Sequence, residues 1–211
     1  MTKEGISKKK VHFVGNVMID SLFKHINKAS QSKILDKLDL IPKSYAVLTL
    51  HRPSNVDNKK VFIEILTAIG HVQKKIKVLL PIHPRTKKKI VEFKLENIIK
   101  KMDNFKIVEA LGYLDFLELM SESLFLLTDS GGIQEETTIL NIPCITIREN
   151  TERSITVMKG TNIIAGCNKN EIIKESSKII AGERKRSKKI ELWDGKAAER
   201  IINVICRNFD N

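Results

Sequence analysis

Four short runs carry side chains able to do chemistry, and each follows an apolar stretch. They are His51-Arg52-Pro53, His83-Pro84-Arg85, Asp129-Ser130-Gly131-Gly132, and the segment from Arg148 to Arg153. An imidazole beside a guanidinium can donate to phosphate oxygens or exchange a proton near neutral pH. Arg148 and Arg153 can neutralise a diphosphate by bidentate pairing. Gly131 and Gly132 allow positive φ and leave room for a ligand close to the backbone. A helix opening there offers unpaired N–H groups that suit a phosphate, with the Ser130 hydroxyl as a further donor. The same run also fits an ordinary helix start, with Ser or Asp as cap and Glu135 and Glu136 favouring the dipole.

Two glutamates repel a phosphate aimed at them. A carboxylate suits a neutral diol instead, as in ribose recognition. Glu136, about one turn past the glycines, is better placed for this than Glu135, which reads as helix-dipole chemistry. Three alternatives stay open. His51 also fits a strand-end histidine bonded to backbone, Pro84 a simple strand terminator, and Phe116 either a base-stacking ring or a core residue at helical spacing. No metal is expected: only His51, His83 and carboxylates could ligate one, and none stands at ligand spacing on one helix. Neither a P-loop nor a G-x-G-x-x-G run is present.

The elements that must hold these groups read as α/β. The runs 45–50, 77–82 and 124–128 are short and continuously apolar, as expected of strands covered on both faces. Weaker strand candidates are 10–15, 105–110, 143–147 and 161–165. Between them, Val61, Ile65, Ala68, Ile69 and Val72 fall on one helical face, as do Leu114, Leu117 and Met120. This alternation predicts a doubly wound parallel sheet with right-handed crossovers. Ligands of such folds bind beyond the carboxyl ends of the strands, where all four reactive runs lie. From about residue 166 the chain reads as helical and charged, ending in an amphipathic tail.

Composition narrows the function. The net charge of +12 suggests an anionic partner. Its distribution argues against a nucleic-acid reader: residues 111–165, which hold the Asp129–Gly132 run, carry three basic against eight acidic residues. The basic runs elsewhere lack aromatic residues for base stacking and read as solvated helix faces. Cys144, Cys167 and Cys206 are widely spaced and lack zinc-site pairing, as expected of reduced packing residues. No run reaches the length of a membrane span and the first residues lack a secretory apolar core, so the expected location is cytoplasmic.

The runs "LTLHRPSNVD", "PIHPRT", "LGYLDFLELM", "LLTDSGGIQEE", "PCITIRENTER" and "GTNIIAG", in this order and spacing, resemble the non-hydrolysing UDP-N-acetylglucosamine 2-epimerases. "VGNVMIDSL" is similar to the hinge segment that opens the second half of those enzymes. The resemblance implies the C-terminal, Rossmann-like half of a glycosyltransferase-B type fold. Residues 1–15 are then an interdomain remnant, 16–185 the UDP-sugar-binding domain and 186–211 a C-terminal amphipathic helix. It implies UDP-GlcNAc or UDP as ligand, no cofactor, a homo-oligomeric intact enzyme, and a separate N-terminal domain needed for turnover. The implied reaction interconverts UDP-GlcNAc and UDP-ManNAc by elimination and re-addition of UDP. Two other readings stay open: a nucleotide-sugar glycosyltransferase half, since that fold is shared, and a non-catalytic basic binding remnant, from the +12 charge.

The same resemblance implies Ser130 and Gly131 on phosphate, Glu136 on ribose, Phe116 near uracil, and His51 and Arg153 near the diphosphate. His83 would face the interdomain region, where the family can bind a second UDP-sugar. His51, Arg52 and His83 are thus the candidate catalytic residues. Phe116, Ser130, Gly131, Gly132, Glu136 and Arg153 are the candidate substrate-binding ones. Two departures from the family pattern stand out: Ser54 where Glu is common, and Ser154-Ile155 in place of Pro-Glu.

Overall fold

The computed structural model describes residues 5–7 and 10–209. Six strands form one sheet: β1 (Tyr45–Thr49), β2 (Lys77–Pro81), β3 (Phe105–Val108), β4 (Phe125–Thr128), β5 (Cys144–Thr146) and β6 (Asn162–Ile164). Their order is β3-β2-β1-β4-β5-β6 and every pair is parallel. This is a Rossmann-like, doubly wound sheet whose strand order reverses between β1 and β4.

Strand periodicity decides which side chains meet which helices, since neighbours on a strand point to opposite faces. Ala46, Leu48, Val78, Leu80, Phe125 and Leu127 share one core with α4 (Lys59–Val72) and α10 (Lys169–Ile180). Tyr45, Val47, Leu79 and Leu126 share the other with α1 (Val17–Ala29), α2 (Ile34–Leu38) and α7 (Tyr113–Ser121). Both faces are covered, which is why these strands read as unbroken apolar runs. On α4, Phe62, Ile65 and Ile69 are fully buried, each contributing about 1.5–3 kcal/mol by leaving water. Asn58 starts that helix by accepting from the N–H groups of Lys60 and Val61.

Two expectations fail. Residues 11–15 form no strand; they run beside α11 (Ala197–Phe209), where Arg200 Nη1 donates to the Val14 carbonyl. Alternating apolar residues make a strand only where a sheet edge accepts them, and this segment pairs with none. Residues 181–196 are not helical either. Their basic run has no apolar stripe to bury and instead ties down by polar contacts. Lys185 Nζ donates to the carbonyls of Val157 and Asn162, and Lys188 N–H to the carbonyl of Lys159. The helix resumes at α11, whose first N–H groups, from Ala197 and Ala198, are capped by Asp20 of α1 at 3.0 and 2.7 Å. No described helix is long and apolar enough to cross a membrane.

Candidate functional site

The reactive runs converge at the switch point between β1 and β4. Thr49 and Thr128, the last residues of the two strands, join through their hydroxyls at 2.6 Å. Beyond them the organising group is Asp129, fully buried. Its Oδ2 accepts from the N–H groups of His51 and Arg52, both at 2.9 Å, and from Asn55 Nδ2 at 3.2 Å. Asn55 also donates to the Ile147 carbonyl at 2.8 Å, so one amide joins the ends of β1, β4 and β5. His51 Nδ1 lies 3.0 Å from Asp129 Oδ1 without alignment for a hydrogen bond, and Oδ1 has no hydrogen-bond partner.

Pro53 starts α3 (Pro53–Val56) with Arg52 as its N-cap. His83 caps α5 (Pro84–Glu92): its Nδ1 accepts from the Arg85 N–H at 3.1 Å, which leaves Nε2 to carry the ring proton when neutral. The two imidazoles lie 5.3 Å apart, tilted by 34°. They line a cavity of about 220 Å³ together with Pro81, Phe116, Ser130 and Ile133. That volume falls below the roughly 300–1,000 Å³ of drug-sized ligand sites, so the cavity suits one ring of a larger molecule. A larger hollow of about 470 Å³ lies under residues 187–194, away from the strand ends.

Ser130 is the N-cap of α8 (Gly131–Ile139), and its hydroxyl makes no capping bond. The glycines depart from one expectation: neither Gly131 nor Gly132 has positive φ, because both already belong to the helix. What Gly131 supplies is space. A methyl group there would sit 2.9 Å from Glu152 Oε1 and 3.5 Å from Arg153 Nε.

The arginines form a cluster with carboxylates between them. Arg153 Nη1 lies 3.4 Å from Glu135 Oε1, so Glu135, buried in α8, is an ion-pair partner rather than only a helix-dipole residue. Glu152 lies 3.0 Å from Arg148 Nη1 and 4.0 Å from Arg52 Nη2. Arg148 Nη1 is buried and has no aligned acceptor despite that proximity. Gln134, also in α8, holds this loop by accepting from Thr151 Oγ1 at 2.6 Å and from Asn162 Nδ2 at 3.1 Å.

Glu136 lies deeper on α8, 4% exposed, and accepts from Tyr113 Oη at 2.9 Å. Burial pushes its carboxyl up; the Tyr113 hydrogen bond opposes this and the Glu135 charge adds to it. His51, His83, Phe116 and Ser130 therefore meet in one cavity, with Gly131 and Gly132 at its helix end. Arg52 and Arg153 stand in the adjoining cluster, and Glu136 sits outside the cavity wall. Asn55, Gln134, Tyr113 and Glu152 carry no role in the sequence reading, and Asp129 enters it only as a possible helix cap. Only their position inside the matched motifs marked them. Among the described residues, no group of three His, Cys, Asp or Glu side chains could hold a metal ion.

The family profile described as UDP-N-acetylglucosamine 2-epimerase matches residues 1–206. The UDP-N-acetylglucosamine 2-epimerase of Methanococcus maripaludis is 39% identical over 208 residues, covering 96% of this chain and 56% of that protein. The crystal structure of Methanocaldococcus jannaschii UDP-GlcNAc 2-epimerase, in complex with UDP-GlcNAc and UDP, matches with a TM-score of 0.86 at 37% identity. The match covers 98% of this chain and 57% of that one. The Neisseria meningitidis enzyme bound to UDP-GlcNAc matches with a TM-score of 0.82 at 26% identity, over 98% and 58%. The chain thus spans little more than half the length of these relatives. By profile, identity and fold together, it belongs to the UDP-N-acetylglucosamine 2-epimerase family.

Proposed function

We propose that this chain is the nucleotide-holding half of a UDP-N-acetylglucosamine 2-epimerase, binding UDP-GlcNAc or UDP at the β1–β4 switch point. One observation carries the reading: Asp129 fastens the His51-Arg52 turn beside the start of α8, so an imidazole and a guanidinium flank a helix N-terminus that no side chain caps. In this reading the α8 N–H groups, Ser130, Arg52 and Arg153 hold the diphosphate. Phe116 covers the base and Glu136 accepts from the ribose hydroxyls.

The chemistry asked of these residues is leaving-group stabilisation. Removal of the sugar C2 proton and rupture of the C1–O bond release UDP and leave an unsaturated sugar. Reprotonation of C2 on the other face and re-addition of UDP give the epimer. Negative charge develops on the diphosphate as C1–O breaks, where preorganised cations and N–H donors act most strongly. His51, whose Nδ1 lies 3.0 Å from Asp129 Oδ1, keeps Nε2 on the ligand side and donates to that oxygen when the ring is an imidazolium. The groups acting at C2 come from a preceding domain.

Calorimetric titration with UDP tests the binding claim, and a folded protein that gives no heat would sink it. The chain alone should not convert UDP-GlcNAc; turnover by the pure chain would show that this half already holds the C2 acid and base.

A further inference from the structure

Glu152 sits inside the positive cluster that the proposed function assigns to diphosphate. Its Oε2 is 3.0 Å from Arg148 Nη1, its Oε1 is 4.0 Å from Arg52 Nη2, and Oε1 lies beside the first residue of α8, 2.9 Å from where a Gly131 methyl would stand. Arg153 Nε borders the same point at 3.5 Å. Three guanidinium groups and a helix N-terminus thus surround one carboxylate supplied by the chain itself.

The fit is loose. Arg148 Nη1 has no aligned acceptor, Arg52 is beyond hydrogen-bond reach, and the Glu152 side chain is about half exposed. A carboxylate offers two oxygens in one plane, whereas a diphosphate offers more oxygens in three dimensions and could satisfy these donors together. Chiefly its own backbone N–H, with Arg148 and Arg52 adding, holds the Glu152 carboxyl below its ordinary range, so the group is anionic at neutral pH.

We propose that Glu152 is an internal competing anion: its carboxylate holds the Arg52–Arg148 end of the α8 phosphate cradle and must swing away when a diphosphate enters, which lowers affinity for that ligand. The inference rests on the diphosphate reading. The opposite role, a brace that pre-orients the arginines, predicts the opposite sign. A brace would hold Arg148 Nη1 in an aligned hydrogen bond, and that atom has none despite lying 3.0 Å from Glu152 Oε2.

The deciding measurement is UDP affinity by calorimetry for the wild-type chain, Glu152→Gln and Glu171→Gln. The first substitution keeps the side-chain volume and removes the charge. Glu171 is a half-exposed residue of α10, paired with Lys174, and controls for net charge. Exposed ion pairs hold weakly, so Glu152→Gln should bind UDP about two- to tenfold more tightly, with Glu171→Gln unchanged. Unchanged or weaker binding by Glu152→Gln, beside normal wild-type binding, overturns the proposal and leaves the diphosphate reading standing. Equal tightening in Glu171→Gln overturns it in favour of long-range charge. If none of the three proteins binds UDP, the diphosphate reading itself fails, and this inference with it.

Discussion

Tyr113 Oη donates to Glu136 Oε1 at 2.9 Å, joining α7 to α8 behind the cavity wall. The bond aims a nearly buried carboxylate and opposes the rise in its pKa caused by burial. Glu136 is therefore a residue whose charge costs stability while, in the proposed function, it reads the ribose.

Replacing Glu136 with Gln should separate those two effects. A carboxyl whose pKa is raised on folding binds its proton more tightly in the folded state, so wild-type stability falls as pH rises from the ordinary value of 4.5 through the raised one. The Gln variant lacks this loss. It should melt higher than wild type at neutral pH, with the gap closing below about pH 4.5. UDP affinity should fall about tenfold or more, since the ribose loses a charged acceptor. Melts across the acid-to-neutral range plus calorimetry check both, and a variant destabilised equally at every pH contradicts the burial argument.

Tyr113→Phe removes only the donor. Weakening of UDP binding should be milder, about three- to tenfold, as for one hydrogen bond. Discrimination between UDP and its 2′-deoxy analogue should shrink at the same time. Full discrimination in the variant would mean that Glu136 needs no help in facing the ribose.

Asp129→Asn places an NH₂ or a neutral oxygen where a buried carboxylate accepts from three N–H donors. The expected cost is about 2–4 kcal/mol, read from urea denaturation, because each donor loses a charged acceptor and one can be left facing another donor. UDP affinity should drop with it as the His51-Arg52 turn loosens. An unchanged urea midpoint would show that the turn is held from elsewhere.

Gly131→Ala probes space rather than backbone freedom, since φ there is already helical. The added methyl meets the end of the flexible Glu152 side chain, so the fold should tolerate it and the melting temperature should hold. The same methyl stands over the first N–H groups of α8, and UDP affinity should fall about tenfold, in line with losing one or two charge-assisted hydrogen bonds. Undiminished affinity would move the phosphate away from this helix end.

Much of the architecture was readable from local pattern. β1, β2 and β4 announced themselves because strands covered on both faces must be apolar throughout. His51, His83 and Ser130 directly follow apolar runs, and the ends of parallel strands fall on one edge of the sheet, so the sequence pattern alone groups them there. The segment 10–15 had a plausible strand pattern too, yet strand formation depends on an available sheet edge, which its own residues do not encode.

The site's fastening was decided only in three dimensions. Asp129 finds the His51 and Arg52 N–H groups 78 and 77 residues away, and Asn55 reaches Ile147 across 92. Local periodicity reports which face of an element is buried; it carries no information about which distant polar group will satisfy a buried donor. The sequence by itself therefore determined the sheet, the strand-end motifs and the family. Tertiary structure decided that Asp129 is the clasp, that Glu135 pairs with Arg153, and that Glu152 stands among the arginines. Those pairings follow from desolvation and the need to match buried charges, and both act only once the chain has closed on itself.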